Sequence, residues 1–178
     1  MDITTVILDQ HAEQRRTFAM LDDVPRDDVA TLGAIWERLT VLLEVHAQAE
    51  ELFFYPRLLE VGTGAGGADD EADEVTDALG DHNDIRDGIA RAGRESVGSD
   101  PWWQAVLDTR IANSDHMAEE EREDLADFRR HADLATRHDI AVQFLAYEGS
   151  HADGVAAANR DPEAYVARGG PKASDPVS

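Results

Sequence analysis

Four histidines recur at a nearly constant interval: His11, His46, His82 and His116 are 35, 36 and 34 residues apart (46−11, 82−46, 116−82). A helix of roughly 20–30 residues with a short turn uses that much chain, so an up-down-up-down four-helix bundle takes one histidine from each helix. Two of the four are followed four residues later by a glutamate, His46 by Glu50 and His116 by Glu120. At that spacing each pair shares one face of its helix. Four imidazoles and two carboxylates then converge from four directions. That is a ligand set for metal, and for a pair of ions rather than one.

Apolar residues recur at three-and-four spacing and no alternating strand pattern appears, so the chain reads as all-α. Helix 1, about residues 3–21, carries Ile7, His11, Gln14, Phe18 and Leu21 on one stripe. Helix 2 starts near Asp27 with the stripe Leu32, Ile35, Leu39, Leu42, His46, Glu50 and Phe53, and is stopped or kinked at Pro56. The glycine-rich stretch 62–68 reads as a flexible loop. Helix 3, about 70–95, turns Val75, His82, Ile85 and Ile89 inward. Helix 4 opens at Ser99-Asp100-Pro101 and carries Trp102, Val106, Thr109, Asn113, His116 and Glu120. An additional C-terminal helix, about 134–148, is expected against the outside of the bundle. The expected organisation is one bundle domain over 1–148 and a C-terminal tail over 149–178, partly disordered from Gly169 onward.

All six polar residues fall on stripes that face the core. A buried polar group without a partner costs about 1–3 kcal/mol, more when charged, and cations offset that cost directly. The chain has no cysteine, which excludes disulfides, thiolate zinc sites and iron–sulfur clusters. Imidazole and carboxylate without sulfur suit iron, manganese or zinc. Ligands must lose their protons, so affinity is expected to fall as pH drops toward about 6. The net charge of −22, with Lys172 the single lysine, argues against nucleic acid and anionic membranes as partners. The first ten residues lack a basic segment and an apolar run, and no membrane span is read, so a cytoplasmic location is expected.

The arrangement H…HxxxE…H…HxxxE resembles the hemerythrin-like HHE cation-binding domain over about residues 5–130. The strings His46-Ala-Gln-Ala-Glu50-Glu51-Leu52-Phe53-Phe54-Tyr55-Pro56 and His116-Met-Ala-Glu-Glu-Glu121 carry the resemblance. It implies two iron ions with an oxo or hydroxo bridge, zinc or manganese being possible substitutes. His11 and His46 would hold one ion, His82 and His116 the other, with Glu50 and Glu120 bridging. Glu121 rivals Glu120, because oxygen-carrying hemerythrins use a carboxylate five residues after that histidine. Helix phase does not separate the two, and symmetry with Glu50 favours Glu120. Those proteins also have a histidine four residues before the third-helix one, where this chain has Ala78. A water or exchangeable ligand, or else Tyr55, Asp81 or Glu51, would fill that place. A kink at Pro56 would swing the Tyr55 phenol toward the metals; simple packing is the plainer reading.

The resemblance implies small-molecule partners, namely dioxygen, hydrogen peroxide or nitric oxide. A centre short of one histidine leaves both ions more open than reversible oxygen carriage requires, which favours peroxide breakdown of a catalase or peroxidase kind, in oxidative-stress defence. The alternative is a sensor or carrier of dioxygen, nitric oxide or iron that does not turn over. His131, His138 and His151 read as surface residues, and Glu148-Gly-Ser-His151 as an isolated ExxH interrupted by Gly149.

Overall fold

Acidic residues write the helix starts into this chain. The computed structural model describes residues 1–156 and 158–171. Its elements are α1 (Ile3–Asp22), α2 (Val29–Ala49), a π-helical segment (Glu50–Phe54), α3 (Tyr55–Val61), α4 (Glu71–Ala92), α5 (Asp100–Arg122), α6 (Asp124–His131), α7 (Leu134–Ser150) and α8 (Pro162–Val166). The side chains of Asp2, Asp28, Asp70, Ser99, Asp133 and Asp161 accept hydrogen bonds from free N–H groups at the starts of α1, α2, α4, α5, α7 and α8. Each such cap stabilises its helix by about 1 kcal/mol.

Among the described residues there is no strand. The helices α1, α2, α4 and α5 form the hemerythrin-like bundle, α3 prolongs α2, and α7 is the additional helix, packed on α1 and α2. The helices α4 and α5 approach closely: a Cβ placed on Gly88 would collide with the hydroxyl of Thr109. Two apolar clusters fill the interior. One gathers Ile7, Phe54, Leu58, Leu79, Phe128 and Phe144, the other Phe18, Leu32, Trp36, Leu39, Trp102 and Val106. On α1, α2 and α4 the histidine lies between residues of the two clusters, and on α5 it lies between Val106 of one cluster and Leu125 of the other at the start of α6, so the imidazoles form a polar layer across the middle of the core.

Several local expectations change. The buried face of α2 is turned slightly: Trp36 and Leu43 are buried where Ile35 and Leu42 are only half-buried, because α1, α4 and α7 all pack on this helix. Pro56 does not end the helix. Its missing N–H leaves a ladder bond unmade, and the turn before it widens so that the Tyr55 N–H reaches the Glu50 carbonyl. The loop after Val61 is held in place. Thr63 and Gly64 donate backbone N–H bonds to Asp127, Ala65 to Glu74 and Gly67 to Glu123. Gly64 and Gly66 take positive φ there, which spares them the penalty a side chain would meet. Gly149 does not interrupt α7, which continues to Ser150.

Past α7 the chain returns to the bundle. Asn83 donates to the Arg160 carbonyl and accepts from the Arg160 N–H, both at 2.8 Å, and Tyr165 on α8 is buried. Of the segment expected to be disordered, residues 172–178 lie outside the described residues.

Phe144 on α7 is fully buried and its ring lies 6.0 Å from that of His46. Phe144→Ala is expected to lower stability by about 3–5 kcal/mol in chemical denaturation. The same truncation at exposed Leu107 is expected to change it by less than about 0.5 kcal/mol.

Candidate metal centre

Three of the four imidazoles are gripped from behind by a hydrogen bond, and the fourth has a carboxylate nearby. His11 Nδ1 donates to Glu121 (2.9 Å), His46 Nδ1 to the Gln10 amide oxygen (2.6 Å) and His82 Nδ1 to Glu51 (3.1 Å). His116 Nδ1 lies 3.6 Å from Asp81. The hydrogen-bonded partners fix their rings and leave each Nε2 for the interior, the arrangement that makes an imidazole a directed ligand. The partners are themselves braced: Gln10 donates to Glu148 (2.7 Å), and Arg15 pairs with Glu121 (2.8 Å).

The inward nitrogens meet the two buried glutamates. His11 Nε2 is 3.1 Å from Glu120, His46 Nε2 3.0 Å and His82 Nε2 3.3 Å from the two oxygens of Glu50, and the Nε2 atoms of His82 and His116 are 3.2 Å apart. Close as they are, His11 Nε2, His46 Nε2, both Glu50 oxygens and Glu120 Oε2 have no hydrogen-bond partner. Lone pairs that stand together without facing one another are placed for a shared third atom. Three overlapping triads bring their ligand atoms within 4.8 Å of one another: His11, His46 and Glu50; Glu50, His82 and His116; His11, His116 and Glu120. The donor set therefore fits a cation.

Glu121 is 29 % exposed and sits behind the His11 ring, whereas Glu120 is buried in the centre. Tyr55 is more than a packing residue. Nine residues of straight α-helix at about 100° each would carry it to the side opposite His46. The widened turn between them reorients it, and its hydroxyl donates to Glu120 (3.2 Å) and lies 3.5 Å from His82 Nε2. Ala78 brings no ligand atom. Glu148 braces Gln10, His131 pairs with Asp127 (2.9 Å), His151 stacks on Tyr147, and His138 is exposed.

Sequence reasoning named Glu51 for the place left by Ala78 but missed Arg86, Arg160 and Tyr165, which gather behind it. Glu51 holds His82 and is itself gripped by Arg86 and Arg160, each at 2.7 Å, while the Tyr165 hydroxyl donates to the Glu51 carbonyl. The Glu50-Glu51 pair was a visible signal. Nothing in the spacing pointed to Arg160 or Tyr165, which arrive from more than a hundred residues away.

Electrostatics would keep the centre charged in the absence of a cation. Burial alone would push His11 and His82 down, but the neighbouring carboxylates overcome it and raise both to about 9. Burial pushes Glu51 up, and His82 with the two arginines overrides it, holding the carboxyl at about 2. Tyr55 is raised well above its usual range by burial and the carboxylates around it. Two imidazolium protons thus stand in for cations, and the window for metal binding moves up from the value near 6 expected of free imidazole.

Both rings hold their protons more tightly folded than unfolded. In the chelated chain that contribution to stability is whole below a pH of about 6.5 and is lost as pH climbs through about 9. The same protons must leave before a cation binds. Apparent cation affinity is therefore expected to rise about ten- to a hundred-fold per pH unit across this window, measured by competition with a chelator. A flat profile would mean that neither ring is protonated.

Comparison with curated proteins gave no match, and neither did comparison with solved structures. The family model described as the hemerythrin HHE cation binding domain matches residues 2–144, which span every bundle helix and all six converging side chains. With a cation-ready cluster of histidine and glutamate at its centre, the chain belongs to the hemerythrin HHE cation-binding domain family.

Proposed function

We propose that this protein carries a non-haem di-iron centre that binds dioxygen, peroxide or nitric oxide, and that its reaction is the breakdown of hydrogen peroxide. The observation that carries the reading is how the triads overlap. Glu50 belongs both to the triad with His11 and His46 and to that with His82 and His116, while Glu120 joins His11 to His116. That sharing supports one ion on His11 and His46, a second on His82 and His116, and both glutamates as bridges. Glu121, engaged by His11 Nδ1 and Arg15, is better suited to orienting His11 than to bridging.

Iron there would supply a redox couple at each of two neighbouring positions, which zinc as a substitute would lack. The chain supplies the surroundings. Apolar clusters above and below the layer exclude bulk water, and the Nδ1 partners hold the ring geometry. Tyr55 is the residue on hand where Ala78 offers nothing; its oxygen beside His82 and Glu120 fits an extra ligand to the second ion. A bound cation would favour its ionised form, reversing the effect of burial.

A second reading is a sensor or carrier that binds without turnover. It is favoured by the tie from His82 through Glu51 to Arg160 and Tyr165, which gives the C-terminal segment a direct connection to the centre.

The iron-loaded chain is expected to evolve one dioxygen per two hydrogen peroxide consumed, followed with an oxygen electrode. A rate no better than free iron, with a tight reversible nitric oxide adduct, would select the second reading. Glu50→Ala with Glu120→Ala is expected to abolish iron binding in elemental analysis, and exhaustive chelation of the parent chain to lower its melting temperature. Tyr55→Phe is expected to keep the iron and lose any phenolate-to-iron absorption band.

A further inference from the structure

Beside the centre, between α4 and α5, lies a narrow cavity with room for about one water-sized particle. His116 and Glu120 form its buried end, and Ala78, with a single methyl, leaves its side open. Its walls include Glu74 and Asp124, both almost fully buried. Glu74 accepts one bond, from the Ala65 N–H at 2.8 Å, and its Oε2 has no partner; nor has Asp124 Oδ2. The exposed rim carries Asp77 and Glu119, with half-buried Asp81 between the rim and His116. No lysine or arginine lines the cavity, and the Arg122 beside it is paired with Glu123 at 2.7 Å.

Asp81 is also the inner end of a surface groove along the α4–α5 seam, where Asp84, Asp87, Asp108 and Asp115 accompany the one cation Arg91, itself paired with Asp108 at 3.2 Å. Acidic side chains therefore line the way from the surface to the centre, and low-dielectric walls focus the field of such charges inward. The groove on the other side, between α1, α2 and α7, has a different character. Val41, Leu42 and Val45 line it together with Glu13, Glu37 and Glu148, of which Glu13 is paired with Arg38 and Glu148 is held by Gln10; Gln10, with both amide atoms engaged, closes its inner end toward His46.

We propose that the cavity between α4 and α5 is the uptake route of the centre, in which Glu74 and Asp124 hold a divalent cation, drawn in along the acidic seam, before it passes to Glu120 and His116. Hard divalent cations take carboxylate oxygens and exchange waters for them, which matches two unpartnered oxygens in a space one particle wide. Neither residue belongs to the triads that converge at the centre, so this is a staging position and not a third permanent site. The proposal rests on reading the centre as a metal site.

The test follows ferrous iron, without oxygen, entering the stripped full-length chain and leaving the loaded chain for a colorimetric chelator. Glu74→Gln with Asp124→Asn is expected to slow both rates about tenfold or more while final iron content and optical spectrum stay as in the parent. Parent-like rates in the double variant overturn the proposal. So does a parent rate of uptake that does not fall with added salt. Should the double variant fail to fold, Ala78→Leu narrows the cavity without removing a charge and is expected to slow exchange likewise; unchanged exchange overturns the proposal. Failure of the underlying metal reading shows differently, as no iron held at equilibrium by the parent chain.

Discussion

Carboxylates and imidazoles face one another in the middle of an apolar bundle, and the rest of the structure is arranged around keeping them there. A buried anion with nothing opposite it is among the most expensive things a protein can hold, and a buried pair is tolerable only when its remaining valences are satisfied. Here the outward nitrogens of His11, His46 and His82 are satisfied by Glu121, Gln10 and Glu51, while several inward atoms are left to a shared guest. Without a cation, protons on His11 and His82 take that part, which their raised affinities express. Fold and cation binding are therefore coupled through one charge balance.

The widened turn at Glu50–Phe54 is where a missing N–H becomes geometry. Glu50 faces the centre by its four-residue spacing from His46 and Glu51 stands behind His82; proline at 56 then breaks the regular ladder, and the extra residue accommodated before it lets Tyr55 approach Glu120 from the same short segment. Glu51 then becomes the junction through which Arg86 on α4 and Arg160 and Tyr165 near the C-terminus reach a centre-facing imidazole. A tail without much apolar character is secured by the Arg160–Glu51 ion pair, by the Tyr165 hydrogen bond to the Glu51 carbonyl and by burial of the Tyr165 ring.

The strong acidity of the chain, which composition alone presents as a single number, divides into separate uses. Five aspartates cap helices. Asp127, Glu123 and Glu74 collect the backbone N–H groups of the loop after Val61. Glu50, Glu51, Glu120 and Glu121 contact the imidazoles, and a further set lines the α4–α5 seam.

The all-helical bundle, the additional helix and the convergence of the six central residues were legible in the sequence, because side-chain direction on a helix follows from spacing alone. His11, Gln14 and Phe18, or Asn113, His116 and Glu120, share a face whatever surrounds them. Helix phase did not separate Glu120 from Glu121, and the preference for Glu120 rested on symmetry with Glu50 alone, since adjacent residues on a stripe's edge differ only in what the neighbouring helix offers. Here α1 offers His11 Nδ1 and Arg15 to Glu121. The inward turn of Tyr55, the grip of Arg160 and Tyr165 on Glu51, and the buried carboxylates at Glu74 and Asp124 were decided only in three dimensions. They depend on a departure from regular helix and on contacts between residues far apart in the chain, and neither leaves a period in the sequence.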